Sequence, residues 1–460
     1  MTRRSSLKIV EQTIVAPPPD SPTDPAIPKS LPLTFFDLVF LRSPPTLGFY
    51  FYEASIASTT FCDSILPKLK LSLSLTLTLF SPLAGNLIWP ENSDTPLINY
   101  VEGDGVSFTV ALSDSDSDFH RLSGMDFVEA RENRSLVPQL TASAGKAAAM
   151  ALQVTLFPNQ GFCIGLAMNH AVADGKIFTT FMKSWAQRFK LGDDQTSLSL
   201  SDEKPLYERS IIKDPKGLAS IYARHWLDFG GTNNKSLVMN PEPQVPSDTV
   251  RGIFELSRAK IEKLREFVKL EVAKKNEEPF YVSTFSLAAA YSCTCLAKTE
   301  GISSKSELVL MSFPVDCRSR MEPPIPSYFG NCVTGKTAFA NAKEIMGNGG
   351  FLVALKTIGE AIKSLDCDGI TYGAENRLSG KHNFPPFKLY TFAGSLRFDV
   401  YSTDFGWGRP RKVDFPSLAT TGAISLQDTR NGDGGVQIGL LLDKHLVETF
   451  ASIFAKGLEE

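Results

Sequence analysis

Histidine is scarce in this chain, with five among 460 residues, and tryptophan, with four, is scarcer still. A base working near neutral pH must therefore come from a very short roster. Cysteine is sparse too. The seven, at 62, 163, 293, 295, 317, 332 and 367, are odd in number and form no C-x-x-C pairs, so reduced thiols are expected in place of a disulfide frame or a zinc knuckle. No sign of charge prevails: 47 Lys and Arg face 50 Asp and Glu, a net charge of −3, which speaks against a nucleic-acid partner. Long apolar runs are missing, and none approaches the roughly 20 residues of a membrane-spanning helix. The opening MTRRSSLKIVEQ has no apolar core for a secretory signal and AKGLEE at the end is no retrieval or peroxisomal address, so the expectation is a cytoplasmic protein without membrane attachment. What the chain does have is hydrophobic mass, 43% of residues with 32 Phe, enough for large cores and an apolar channel. Its length predicts two or three domains.

The pattern along the chain is that of an α/β protein with two comparable sheets. Leu7 to Val15 reads as a strand, and Ala16 to Pro32, rich in Pro and small polar residues, as an extended surface arm. Between Leu69 and Leu79 every second residue is Leu, a period-2 strand signal, with a buried helix as the competing reading. FCIGLAM at 162–168 reads as a buried strand and NHAVADG as a tight connection. Ile177, Phe178, Phe181, Met182, Trp185 and Phe189 then fall on one face of a helix. The polar stretch 191–217 divides the chain into an N-terminal domain, 1–190, a crossover, and a C-terminal domain, 218–460. There, Ile261, Leu264, Val268 and Val272 mark a helix, and LVLMSFPV and GGVQIGLLLD mark strands.

Chemistry converges on one histidine. His120 reads as a loop residue, and His225, His382 and His445 have no chemical company nearby in sequence. His170, where a strand ends and a helix begins, opens HAVADG, an H-x-x-x-D-G pattern with Asp174 and Gly175. A neutral imidazole there can take a proton from a hydroxyl and return it later. Asp174 sits where a helix N-cap belongs, and Gly175 supplies backbone freedom. The run GNCVTGKT at 330–337 matches a phosphate-cradling loop, but it follows MEPPIPSYF, whose prolines withhold ladder donors from the strand that such a loop needs. No metal is expected at His170, since no second His or Cys stands near it.

HAVADG at 170–175 together with DFGWGRP at 404–410 resembles the plant BAHD acyl-CoA-dependent acyltransferases. LTFFDLVFL at 33–41, SPLAGNL at 81–87, EGDGVSF at 102–108 and FPVDCRSRMEPPIPSYFGNC at 313–332 extend the likeness over nearly the whole chain. YFGNC resembles the branch that acylates sugars of anthocyanins, flavonoids and phenolic glycosides. The resemblance implies two similar chloramphenicol-acetyltransferase-like domains, each a mixed sheet with helices, with a tunnel between them. It makes the stretch before PLAG helical and GNCVTGKT a continuation of YFGNC. It implies acyl-CoA as co-substrate with no permanently bound cofactor, His170 as general base in a ternary complex, and a monomer with a small glycosylated phenolic as acceptor. By the same resemblance Asp174 pairs with Arg318, and Asp404, Phe405, Gly406, Trp407 and Gly408 are structural. Ser395 lines the site as a candidate oxyanion donor. Malonyl-CoA is the first choice of donor, although Phe178 stands where some malonyl-using relatives carry Arg. A hydroxycinnamoyl-CoA donor, a non-catalytic binding protein of the same fold and a hydrolase are the alternatives.

Overall fold

The computed structural model describes residues 7–19, 27–113, 118–192, 204–240, 248–276, 278, 280–302, 307–379, 385–415 and 422–457. His382, residues 193–203 of the crossover and part of the 16–32 arm lie outside these residues. The fold is α/β, built on two large mixed sheets. The first has the order Leu7–Val15, Val106–Ser113, Met150–Phe157, Gly161–Met168, Thr46–Glu53 and Lys412–Asp414. The second runs Val333–Asn341, Leu308–Asp316, Phe387–Ala393, Ala423–Asp428, Val436–Asp443, Thr249–Leu256 and Val128–Glu129. Parallel pairs sit inside otherwise antiparallel ladders in both. Each sheet draws most strands from one half of the chain and takes one short strand from the other: Lys412–Asp414 pairs with Thr46–Glu53, and Val128–Glu129 pairs with Thr249–Leu256.

Helices α1 (Leu66–Leu77) and α2 (Gly175–Leu191) cover the first sheet, and α3 (Leu218–Asp228) packs beside them. Helices α4 (Arg258–Lys274), α5 (Thr284–Glu300), α6 (Gly350–Asp368) and α7 (Val447–Lys456) serve the second core. Gly161–Met168 is buried on both faces, which is why its sequence is a continuous apolar run.

The structure bears out the helix that the resemblance implied for the leucine row, and it corrects two local readings, of the arm and of His120. The alternating leucines form α1, because a period-2 row also contains the i, i+4, i+8 set: Leu69, Leu73 and Leu77 are buried while Leu71 is exposed. Ser72 and Thr76 share that inner face, where the Trp185 indole N–H donates to Ser72 Oγ at 3.1 Å. The arm ends in a strand, Ser30–Pro32, which pairs with Leu97–Asn99 and buries Leu31. His120 lies on a short helix, Asp118–Leu122, and not in a loop. GNCVTGKT runs from a buried bend straight into the strand Val333–Asn341, so its backbone is extended along a ladder and does not wrap a phosphate.

Backbone contacts are close beneath the first sheet. A Cβ at Gly165 would lie 2.0 Å from the Leu136 carbonyl oxygen, a main-chain atom that cannot move aside cheaply. Gly165→Ala should lower stability by about 1–3 kcal/mol in urea unfolding; an unchanged midpoint would contradict this packing.

Candidate active site

The strand Gly161–Met168 delivers the chain to Asn169, whose side-chain oxygen accepts from Ala171 N at 3.1 Å while its carbonyl accepts from Val172 N at 2.9 Å. This tight turn projects His170 at the strand end. Asp174 closes it as the N-cap of α2, in extended geometry, accepting from Lys176 N and Ile177 N at 3.2 and 3.3 Å. The apolar stripe of α2, from Ile177 to Phe189, anchors the helix on the sheet.

His170 is half-buried and stacked face to face on Phe40, with ring centroids 3.8 Å apart and planes 3° from parallel. Its Nδ1 is enclosed and has no hydrogen-bond partner. Nε2 is therefore the nitrogen a substrate can meet. Burial pushes the imidazole pKa below its ordinary value, against the opposing pull of its own carbonyl, Asp174 and Asn331. The ring is thus held neutral near pH 7, the form that can accept a proton.

Asp174 points away from this ring. Its carboxylate receives Arg318 in a two-pronged pair, Nη1 to Oδ2 at 2.8 Å and Nη2 to Oδ1 at 3.2 Å, and Cys332 N at 3.1 Å. Arg318 is 1% exposed and spends its other donors on the Asp316 carboxylate, at 3.2 Å, and on the carbonyls of Tyr328 and Gly330. Burial would lower its pKa, but the Asp174 charge more than reverses that and holds the guanidinium charged. A second buried carboxylate, Asp37, accepts from Asn331 N at 2.8 Å and Asn331 Nδ2 at 3.0 Å, with Arg209 at 3.7 Å. Asn331 Nδ2 also donates to the His170 carbonyl at 2.9 Å.

A cleft of about 920 Å³ opens beside the motif. Its wall includes Asp174, Gly175, Lys176, Ser283, Phe313, Ser395 and Phe398; the His170 ring is not part of that wall. Gly175 is required by a close approach: a Cβ there would stand 2.9 Å from the Phe398 ring. Ser395 lines the cleft, and its Oγ accepts from Arg397 N at 3.2 Å.

The pentapeptide DFGWG sits elsewhere. Asp404 pairs with Lys190 at the C-terminal end of α2 and accepts from Gly406 N and Gly408 N, both glycines at positive φ. Burial alone would raise its pKa, but Lys190 and these two amides bring it below the ordinary carboxylate value. Phe405 is fully buried against Tyr52, Trp185 and Phe189, and Trp407 packs on Phe162 and Phe189. Because 17 helical residues span about 25 Å, this cluster braces the end of α2 remote from His170. Phe178 is buried against Phe415.

Sequence reasoning missed Phe40, Asp37, Asn331 and Arg209. Three of them lie in LTFFDLVFL and YFGNC, segments that carried the resemblance, but nothing local in the sequence assigns their contacts.

A family model described as "Transferase family" matches residues 6–456. The chain is 40% identical to phenolic glucoside malonyltransferase 1 of Arabidopsis thaliana, covering 99% of this chain and 98% of that one. It is 36% identical to malonyl-CoA:anthocyanidin 5-O-glucoside-6''-O-malonyltransferase of the same plant, covering 99% of each. Among solved structures, vinorine synthase superposes with a TM-score of 0.70 at 22% identity, covering 96% of both chains.

The Asp174–Arg318 pair carries a stability consequence. Asp174→Ala leaves the buried guanidinium with only the exposed Asp316 carboxylate as a charged partner and should cost about 3–5 kcal/mol in chemical denaturation. Asp404→Asn, at a half-exposed pair with Lys190, should cost clearly less; equal losses would contradict the different burial of the two pairs.

Proposed function

The chain belongs to the BAHD transferase family and is an acyl-CoA-dependent acyltransferase, and on that premise we propose that it transfers malonyl from malonyl-CoA to a sugar hydroxyl of a phenolic, flavonoid or anthocyanin glucoside, with His170 as general base. The observation that carries the reading is the stacked imidazole at a strand end beside a large cleft, where burial disfavours its charged form. A sugar hydroxyl is a poor nucleophile at neutral pH. Nε2 of His170 removes its proton as the oxygen attacks the thioester carbonyl, and the tetrahedral oxyanion collapses with loss of the CoA thiolate, which takes the proton back from the imidazolium. Holding both substrates at once removes the need for an acyl-enzyme. Ser395, on the cleft wall, is the candidate oxyanion donor in this scheme, and no step calls for a metal.

The cleft suits a polyanionic donor. Of the cations on its wall, Arg318 is taken by Asp174, Arg320 pairs with Asp366 and Lys183 faces Asp399 at 3.4 Å. Lys176 and Arg397 have no acidic partner among the described residues, and they are the charges left for the CoA phosphates and for the free carboxylate of a malonyl group. The names of the two relatives above support malonyl. The aromatic wall at Phe285, Phe313 and Phe398 favours the second reading, a hydroxycinnamoyl donor on the same acceptors. The proposal keeps the division into 1–190, the crossover 191–217 and 218–460, in a monomer working in the cytoplasm.

Incubation with phenolic and flavonoid glucosides, offering malonyl-CoA and p-coumaroyl-CoA separately, should yield a malonylated glucoside by mass spectrometry. A coumaroylated product alone would reverse the donor, and free acid without acylated acceptor would mean a hydrolase. His170→Ala should lose about 10²–10⁴ in turnover with its circular dichroism intact, and wild-type turnover would remove His170 from the mechanism. Because burial disfavours the imidazolium, kcat/KM should fall on the acid side only below the ordinary imidazole pKa. An acid limb above that value would contradict the neutral, desolvated base.

A further inference from the structure

We propose that Lys176 is the specificity-determining residue for the acyl donor: its ammonium receives the free carboxylate of the malonyl group, and Arg397, the other uncommitted cation of the cleft, is left to the CoA phosphates. The inference rests on the malonyl-CoA reading above and names the group that recognises the malonyl charge.

Three observations carry it. The first is the charge left over on the wall. Two acids line the cleft, Asp174 and Asp316, and both bind Arg318, at 2.8 and 3.2 Å. Arg320 is held by Asp366, and Lys183 faces Asp399. Of the five cations on that wall, Lys176 and Arg397 are the two without an acidic partner among the described residues. An anion entering the cleft therefore meets two positive charges that no carboxylate of the protein has already neutralised.

The second is the direction in which α2 faces. Lys176, Thr179, Thr180 and Lys183 line the cleft, an i, i+3, i+4, i+7 stripe, whereas Ile177, Phe178 and Phe181 turn into the core of the first sheet. Thr179 spends its hydroxyl on the carbonyls of Gly175 and Lys176, 3.0 Å from each. Side chains on a helix lean toward its N-terminus, so from the first turn of α2 the stem of Lys176 is directed back toward the HAVADG turn that carries His170.

The third is depth. Lys176 is half-buried and Arg397 is exposed. The malonyl carboxylate stands a single methylene away from the thioester carbonyl that the sugar oxygen attacks, so its partner must lie close to the base. The phosphates sit at the far end of the pantetheine arm and belong near the mouth. A partly desolvated ammonium attracts a carboxylate more strongly than one in open water does. Acetyl and hydroxycinnamoyl groups bring no charge to this position and leave the lysine unpaired in the donor complex. Lys176 thus favours malonyl and disfavours neutral acyl groups by the same contact.

The test begins with donor binding, before any acceptor is chosen. In titration calorimetry the wild-type enzyme should hold malonyl-CoA about 10- to 100-fold more tightly than acetyl-CoA. Lys176→Met should bring the two within about twofold of each other and leave the affinity for free CoA within about twofold of wild type. Equal affinity of the wild-type enzyme for malonyl-CoA and acetyl-CoA overturns the proposal. In turnover, kcat/KM with malonyl-CoA should fall about 10- to 100-fold in Lys176→Met, that with acetyl-CoA or p-coumaroyl-CoA should change by no more than about twofold, and Lys176→Arg should restore most of the malonyl preference. A parallel fall for all three donors with weakened CoA binding would assign Lys176 to the phosphates and overturn the proposal, as would a folded Lys176→Met that keeps the malonyl preference. Arg397→Met should weaken CoA and every donor alike; a loss confined to malonyl-CoA would exchange the two roles and overturn the proposal as well. If product analysis finds p-coumaroyl transfer alone, the donor reading fails there, and the ratio of malonyl-CoA to acetyl-CoA affinity still decides for or against Lys176 by itself.

Discussion

The site hangs on one buried ion pair. Arg318 and Asp174 come from opposite halves of the chain, 144 residues apart, and meet almost out of contact with water. Two charges in such a place are tolerated because each is well satisfied: the carboxylate by a guanidinium, two helix amides and the Cys332 amide, and the guanidinium by that carboxylate, the Asp316 carboxylate and the carbonyls of Tyr328 and Gly330. The pair therefore does more than join two elements. It pins the start of α2 and the 328–332 segment to a common point, and from that segment Asn331 reaches the His170 carbonyl. The placement of the imidazole is thus a consequence of where one arginine is buried.

The two motifs divide the labour along α2. HAVADG shapes its N-terminal end, where the cleft and His170 lie, and DFGWG grips its C-terminal end with an ion pair and a wedge of aromatic rings. A helix held at both ends transmits little play, so the aromatic cluster contributes to the precision of a centre it never touches. The glycines divide in the same way. Gly175 admits the Phe398 ring beside the motif, whereas Gly406 and Gly408 permit the turn that lets Asp404 collect their amides.

How much of this could be read beforehand depended on the range of each signal. His170 was legible because strand, turn and helix follow one another between residues 161 and 191 and each has its own period. The Arg318 partner came from resemblance, since no local pattern joins positions 174 and 318. Asp37 with Asn331 spans 294 residues, and Phe40 with His170 is a contact that no periodicity encodes. The leucine row at 69–77 was open to two readings on pattern alone because alternation contains the helical repeat within it; the resemblance chose the helix, and the partner surface, Trp185 with the first sheet, is the physical reason for it. The exchanged strands Lys412–Asp414 and Val128–Glu129 are too short to leave any pattern.

That exchange of short strands bears on traffic through the protein. The cleft is walled by residues of both halves, and a clamshell motion that opened it would have to tear two ladders and separate the buried Arg251–Asp414 pair, whose Nε–Oδ2 distance is 2.7 Å. Among the described residues, two short ladders and a buried ion pair tie the halves to each other. Access to the cleft need not then wait on separation of the halves, and rotation of side chains on its wall can adjust its width. In such a machine selectivity is carved into wall residues, and a new acceptor can be admitted by changing a few of them without retuning a hinge.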